Sequence, residues 1–329
     1  MSSKKETQNI AKIIQKRRSE LVYDYRIRQT AVGYKIKDGK LTDDIGIIAF
    51  VSKKQDESKL QSLQIEPIPK HIEGVVTDVQ TVRFFPRMAD DSRYRPIEGG
   101  IATIRHPSKY VGTLGLIIRK ANKLYGITNN HVGANEDVLG MAPAAAKKGD
   151  PWVQPSAGSV PRDLIARLYK WNRLKPQSPG NVNYYDFAMG EIVNPGLAGA
   201  KHNEIKDIGL VKGTEDINLG DKVMKRGRTT LKTTGRVIAV NARVYVPYQG
   251  YNCDFTDQVT IIGDPDPNVP FSLGGDSGSC IVSSEPDGRT NAHKAKALLF
   301  AGGENEETGF DETVGSPIRK IVRDFGLKI

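Results

Sequence analysis

The chain has only two cysteines, Cys253 and Cys280, in 329 residues. A disulfide framework of the kind that holds small secreted domains together is therefore excluded. No run approaches the ~18 consecutive apolar residues of a membrane-spanning helix. The opening MSSKKETQNIAKIIQKRRSE lacks the apolar core of a secretory leader. Together these absences predict a reducing, cytoplasmic location. HExxH, CxxC and the Walker phosphate loop are missing too, so no cofactor and no metal is expected. GDPDPNVP places acidic residues beside a glycine but lacks the spacing of a calcium loop, and reads as a solvated loop.

Charge is the next constraint. The chain carries a formal +10 and a sequence pI near 9.4, with Lys4, Lys5, Lys12, Lys16, Arg17 and Arg18 near its start. A basic surface can meet nucleic acid, anionic membrane or an acidic protein. No RNP, KH or zinc-finger pattern accompanies it, so a solvated helix face is the preferred reading and nucleic acid the disfavoured partner. That helix is amphipathic, because Ile10, Ile13, Ile14, Leu21 and Val22 recur at helical spacing.

Short β-branched runs separated by turn residues make the rest of the chain mainly β. AVGYKIKDGKLTDDIGIIAFVSKK reads as two strands around a DG turn, and EGVVTDVQTV as a third. These, with the helix, predict a small α/β N-terminal domain over 1–86, ending near Phe85. The polar, proline-flanked PRMADDSRYRPIEGG supplies a linker over 87–99. From 100 to 329, two series of strand candidates suggest paired antiparallel barrels or sandwiches. The chain ends in SPIRKIVRDFGL, where Ile318, Ile321, Val322 and Phe325 mark a helix with one buried face.

One stretch asks for a chemical explanation: SLGGDSGSC, Ser272 to Cys280, which runs straight into the strand IVSS. Gly275 lets a substrate carbonyl approach the backbone, and the N–H groups of Gly275 and Ser277 can be aimed together at a developing oxyanion. Gly278 permits the tight turn that follows. A serine hydroxyl is a weak nucleophile and needs a base, itself held by a third group. Of the five histidines, His71, His106, His202 and His293 lie in charged or proline-flanked contexts that read as surface. His131 differs because it closes LYGITNNHV, where a strand ends in small polar residues. Asp186 sits within NYYDFAMGEIV, among Tyr185, Phe187, Ala188 and Met189. A carboxylate there is costly unless something pairs with it, and an imidazole N–H would do so.

TNNHV, YYDFAMG and GGDSGS, in the chain order His, Asp, Ser, resemble the chymotrypsin/trypsin-like serine proteases. KRGRTTLKTTGRV, GDPWVQPS, GSPIRKIV and IPKHIEGVVTDV narrow the resemblance to intracellular bacterial trypsin-like peptidases related to the protease domain of the plant narrow-leaf protein. The resemblance implies a fold of two antiparallel six-stranded β-barrels with a C-terminal helix over 100–329. It implies a serine endopeptidase with His131 as general base, Asp186 as its orienter, Ser277 as nucleophile, and Gly275 and Ser277 as oxyanion donors. The residue six before the serine, Phe271, would lie at the base of the pocket for the P1 side chain, next to Ser272. The strand carrying Phe300, Ala301 and Gly302 would pair with the substrate backbone. An aromatic base without an acid predicts small or medium apolar P1 residues and rejection of Lys and Arg.

The secreted family members pair the aspartate before the serine with a freed N-terminal amine. Asp276 has no such partner visible in the sequence. The expected partners are a protein or peptide substrate and a regulatory protein acting through the N-terminal domain. The alternative readings are a catalytically silent peptide-binding module on the same fold, or nucleic-acid binding by the basic helix.

Overall fold

The computed structural model describes residues 4–37, 39–51, 54–83, 90–141, 145–199, 201–248, 250–267 and 269–329. Phe85 and the first residues of the 87–99 stretch, where the sequence suggests a boundary, lie outside them. The N-terminal segment holds α1 (Lys4–Lys16), α2 (Arg18–Tyr23), β1 (Gln29–Lys37), β2 (Lys40–Val51), α3 (Glu57–Ser62), β3 (His71–Ile72) and β4 (Val75–Arg83). α1 buries Ile10, Ile13 and Ile14, and α2 buries Leu21, against a core shared with Val32 and Ile47. β1 and β2 form the expected hairpin, closed by Lys37 opposite Lys40, with Gly39 at φ +72° in the turn. That left-handed conformation is one glycine adopts without the steric cost of a Cβ.

The middle of the chain folds as β5 (Ile101–Arg105), β6 (Gly112–Leu114), β7 (Leu116–Lys120), β8 (Lys123–Thr128), α4 (Asn130–Gly133), β9 (Pro151–Val153), β10 (Leu164–Trp171) and β11 (Ala188–Ile192). These strands make a seven-stranded sheet in the order β6-β5-β9-β10-β11-β8-β7, around Ile101, Leu114, Ile117, Trp152 and Ile165. β6 and β7, the two ends of that path, are separated only by Gly115, so the path curls back on itself.

The remainder is β12 (Glu204–Ile205), β13 (Gly209–Thr214), β14 (Lys222–Gly227), β15 (Leu231–Tyr248), β16 (Tyr251–Gly263), β17 (Cys280–Ser283), β18 (His293–Asn305), β19 (Asp311–Pro317) and α5 (Ile318–Phe325). Six of these strands form a closed antiparallel ring, β14-β15-β16-β19-β18-β17, filled by Val223, Val237, Val259, Ile261, Phe271, Ile281 and Ala297. α5 buries Ile318, Ile321 and Phe325 where the two sheets meet, against Leu116, Phe187 and Leu298.

The expected count of six strands holds for the second ring and is corrected for the first sheet, which has seven; the ring itself is embedded in a sheet of twelve. The extra strands include those of the N-terminal segment. β1 pairs with β15, β2 with β1 and β4, and the end of β4 pairs with β18. The physical cause is the length of β15 and β18, which extend beyond the ring and leave edges for β1 and β4 to cover. No helix among the described residues is long and apolar enough to cross a membrane.

Cys253 packs with Phe255 and Tyr248, whereas Cys280 packs with Val282 and Leu298 in a different cluster; both are free and buried. Burial pushes both thiols up to about 12, so neither presents a thiolate near neutrality. Millimolar dithiothreitol should therefore leave the melting temperature unchanged, and iodoacetamide should label neither cysteine until denaturant is added. A fall of several degrees in reductant would show a bridge that these positions do not permit.

Candidate active site

The site is built around a carboxylate with no exposure. Asp186 immediately precedes the buried start of β11 and is flanked by Phe187 and Ala188, both fully buried. Water cannot solvate it, so the surrounding chain must supply its donors. Asn130 N–H donates to Oδ1 at 2.5 Å and His131 N–H at 3.3 Å, both from the first turn of α4. On the other oxygen, Tyr248 Oη donates at 2.8 Å, and His131 Nδ1 lies 2.6 Å away. With Oδ2 accepting, Nδ1 carries the proton and Nε2 is left as the acceptor.

The local sequence explains why α4 stands there. Asn129 Nδ2 donates to the Asp186 carbonyl at 2.8 Å. Asn130 receives the Asp137 N–H at 2.8 Å and donates to the Asp137 carbonyl at 3.0 Å, which fastens the short helix to its following loop. TNNHV therefore places an imidazole and two amide side chains that hold its support. Burial works against a charged His131, but the Asp186 carboxylate, its hydrogen bond and the more distant Glu136 outweigh that effect, and the imidazole pKa is raised. Burial beside Asp186 likewise drives the Tyr248 hydroxyl well above its ordinary value, so it remains a donor.

Ser277 comes from the other sheet. Its carbonyl accepts from Thr113 N–H at 2.7 Å, so the serine loop is fastened directly to β6. The loop and α4 meet across Gly112, where a Cβ would overlap both the Val132 side chain and the Ser277 carbonyl. That glycine is required for close approach. Ser277 Oγ lies 3.5 Å from the Phe300 carbonyl of β18. Gly275 adopts φ +96°, and its carbonyl accepts from Thr113 Oγ1 at 2.8 Å, which turns that peptide away from the serine. Among the described residues, neither Gly275 N–H nor Ser277 N–H has a hydrogen-bond acceptor.

Asp276 does have a partner, which the sequence reading missed. Its carboxylate accepts from the Leu273 N–H at 2.9 Å, the Thr229 N–H at 2.7 Å and Thr230 Oγ1 at 2.7 Å. Lys225 Nζ stands 3.3 Å away, with both side chains fully buried. Gly227 makes room, since a Cβ there would overlap the Asp276 carboxylate and the Ser279 hydroxyl. Burial lowers the Lys225 pKa to about 8, and Asp276 offsets that only in part. The available signal was alternation: Lys225 lies two residues after the fully buried Val223 of β14, and so on the same inward face.

The residues proposed to bind substrate separate into two groups. Phe271 is fully buried within the ring of β14 to β19, its ring against Gly235 and 5.8 Å from Lys225 Nζ. Its side chain is thus part of the core that fills the ring. Ser272 is buried and shares a 2.6 Å hydrogen bond with Thr313. Phe300 packs on Phe255 with ring centroids 4.8 Å apart, leaving its carbonyl toward Ser277. Ala301 and Gly302 keep partial exposure. Of the other histidines, His293 is buried rather than superficial, and its Nδ1 is bound to the Ser283 carbonyl at 2.8 Å.

One further acid is buried nearby. Glu312 in β19 is held by Asn305 Nδ2 at 2.9 Å, and burial raises its pKa to about 7. Successive strand residues point to opposite faces. Because Thr313 faces Ser272, Glu312 faces away and puts no charge on the Ser272 side.

No family model matches the chain. It is similar to the Oryza sativa protein NARROW LEAF 1, 28% identical over an alignment of 301 positions that covers 79% of this chain and 48% of that protein. The chain therefore spans about half the length of this relative. Among solved structures it is similar to a glutamic acid-specific serine protease, at 16% identity and TM-score 0.46 over 71% of this chain and 100% of the other. Cellulomonas bogoriensis chymotrypsin aligns at 18% identity and TM-score 0.44, over 71% of this chain and 97% of that one. An α-lytic protease homologue, N4, aligns at 20% identity and TM-score 0.44, over 70% and 98%.

The His131 arrangement makes a direct prediction. Its imidazole should titrate above the ordinary value of about 6.5 in the folded protein, followed by NMR of the ring protons. Asp186→Asn removes the negative charge while burial remains, so the same resonance should move below that value. An unshifted titration in Asp186→Asn would show that the carboxylate does not control the ring.

Proposed function

We propose that the protein is a serine endopeptidase acting through an acyl-enzyme. The observation that carries this reading is the 2.6 Å contact between His131 Nδ1 and a fully buried Asp186, on an element that meets the Ser277 loop at Gly112. In the proposed mechanism Ser277 Oγ attacks the scissile carbonyl while His131 Nε2 takes its proton. Asp186 keeps the proton on Nδ1 and stabilises the imidazolium as it forms. The Gly275 and Ser277 N–H groups receive the oxyanion. His131 then delivers the proton to the leaving amine, and a water, deprotonated by the same nitrogen, releases the acyl group from Ser277. The substrate backbone lies along Phe300 to Gly302 of β18.

Specificity follows from what lies behind that strand. The Ser272–Thr313 hydroxyl pair and the Phe271 ring offer no anion, and the Lys225 cation stands behind the ring. A basic P1 side chain would meet a positive charge in a dry environment. The proposed preference is for uncharged P1 residues, with Lys and Arg rejected.

Ser277→Ala and His131→Ala should each lower kcat/KM by about 10⁴-fold or more, since members of such a unit act together, with the melting temperature of Ser277→Ala close to wild type. A fluorophosphonate probe should label the wild type and not Ser277→Ala. Unlabelled wild type, with peptide binding retained, would instead establish a silent peptide-binding module. A peptide library scored by cleavage site tests the P1 assignment, which a majority of cuts after Lys or Arg would overturn.

Lys225 adds an alkaline limb. As pH rises through about 8, Lys225 loses its proton, Asp276 loses its counter-charge, and the serine loop loses support. The unfolded lysine still binds its proton at that pH, so this group's contribution to folding stability rises rather than falls between the folded and unfolded pKa values. Activity should thus decline above pH 8 in a window where this group does not lower the melting temperature. Lys225→Met, which leaves Asp276 without its cation, should lower activity across the pH range and remove the alkaline limb. An alkaline limb persisting unchanged in a folded Lys225→Met protein would assign it to another group.

A further inference from the structure

We propose that the cleft between the N-terminal helices and the β15–β16 pair is a binding site for a phosphate dianion, with Arg243 at its base and Arg18 and Arg28 at its mouth. The inference is independent of the peptidase reading, and its test needs no catalytic activity.

The cleft exists because two neighbouring strands break register at the same place. Between Ala239 and Ala242, β15 advances three residues while β16, from Thr260 to Gln258, advances two. Between Ala242 and Val244 the excess passes to β16, which advances three, from Gln258 to Phe255. Asn241 and Asp257 lie within these two bulges and take φ +52° and +60°. Among residues with a Cβ, Asn and Asp adopt that left-handed conformation at least cost. Bulges bend strands and re-aim side chains. Here they open about 50 Å³ against α1, α2 and the start of β1, with Arg18, Arg28, Thr30, Asn241, Arg243 and Thr256 among the lining residues. A buried water needs about 10–15 Å³, so the space suits an ion of roughly four or five heavy atoms.

Arg243 is the reason to expect an anion there. Its side chain is 14% exposed, and Nη2 is bound to Asp254 Oδ2 at 2.5 Å. Nε and Nη1 are buried and have no acceptor. Buried donors are normally satisfied, and a guanidinium can only donate. An arginine that had only to neutralise Asp254 could have kept those nitrogens in water. Arg18 and Arg28 are exposed, so both can turn toward the mouth. Arg28 reaches the neutral Gln177 Oε1 at 3.4 Å, and neither arginine has a carboxylate partner among the described residues. Asp257, the acid among the lining residues, interacts with Lys320 of α5 and with Thr256.

Charge decides the class of ion. Asp254 balances Arg243, so the positive charges of Arg18 and Arg28 remain. A phosphate dianion cancels both and offers oxygens to three guanidinium groups, a pairing that arginine geometry favours. A carboxylate would leave one charge uncompensated. Occupancy also has a structural consequence. The Asp254 carboxylate that holds Arg243 accepts from Gln177 Nε2 at 3.4 Å, and its carbonyl accepts from Asn183 N–H at 2.9 Å. Thr256 N–H in turn donates to the Asn183 carbonyl at 3.0 Å. The chain from Gln177 through Asn183 leads on to Asp186. A phosphate held by Arg18, Arg28 and Arg243 therefore links the N-terminal helices to the strands on which that chain rests.

The test uses the full chain with inorganic phosphate as the probe, against sodium chloride at equal ionic strength. Millimolar phosphate should raise the wild-type melting temperature, since a ligand of the folded state stabilises it, and calorimetric titration should show one site per chain. Arg18→Gln/Arg28→Gln changes two exposed side chains, and its phosphate affinity should fall about tenfold or more as charge-assisted contacts are lost. Arg243→Lys keeps a cation for Asp254 but gives up the planar set of donors, and should also weaken binding. Should Arg243→Lys fail to fold, the double variant decides. An equal rise in melting temperature for wild type and double variant would be a general salt effect and would overturn the proposal. No titratable site in the wild type overturns it as well, and acetate bound as tightly as phosphate overturns the dianion assignment. Phenyl phosphate separates two sources of the same group: bound with the affinity of phosphate, it makes the ligand a phosphate ester, and refused, it makes the ligand the free ion.

Discussion

A carboxylate placed where no water reaches it must be satisfied by the chain, and the geometry of this protein follows from that requirement at Asp186. Its donors come from two places far apart in sequence: α4, through the Asn130 and His131 N–H groups and the His131 ring, and Tyr248 at the end of β15. α4 and β11 belong with the first sheet, while Tyr248 belongs to the second. One buried charge therefore ties both halves together at the point where His131 must be oriented. Removing any donor would leave a buried charge undersatisfied, a penalty far larger than the worth of a surface ion pair.

The second half repeats the device with the opposite emphasis. Asp276 fastens the serine loop to the β14–β15 turn through Thr229 and Thr230 and to β14 through Lys225. In this way the residue beside Ser277 is held by a cation that the chain supplies from its own strand. The cation has a cost, visible in its pKa of about 8. Removing the pair altogether in favour of apolar residues could leave the fold as stable or more so. What the pair adds is the position of one loop relative to one strand.

Legibility in the sequence divided along the line between local and non-local information. TNNHV, YYDFAMG and GGDSGS could be read because each places an unusual polar residue in a short context that explains itself. His131 and Asp186 are brought together, and Gly275 and Gly278 on either side of Asp276–Ser277 adopt positive φ. The helix faces of α1 and α5 were equally readable from periodicity. Lys225 was not, because a lysine in KVMKRGR reads as an exposed strand residue until the inward phase of Val223 is taken seriously. Counting back from the serine locates the backbone of Phe271, whereas the direction of its ring is decided by packing against Gly235. The partners of β1 and β4 were illegible, since a strand's own pattern states which face is buried and leaves open which edge it joins.

That last point gives the N-terminal segment its meaning. Had 1–86 formed a sheet of its own, it would touch the site only by docking, and its orientation would be free to vary. Here β1 extends the sheet at β15, the strand that ends in Tyr248, and β4 pairs with β18, the strand whose Phe300 carbonyl faces Ser277 Oγ. The segment is thus hydrogen-bonded to the strand that helps satisfy Asp186 and to the strand beside the serine loop. Strand pairing is discrete: a residue of β15 or β18 either keeps its partner or leaves an N–H or C=O unpaired. The N-terminal segment is therefore held in register with both candidate site elements.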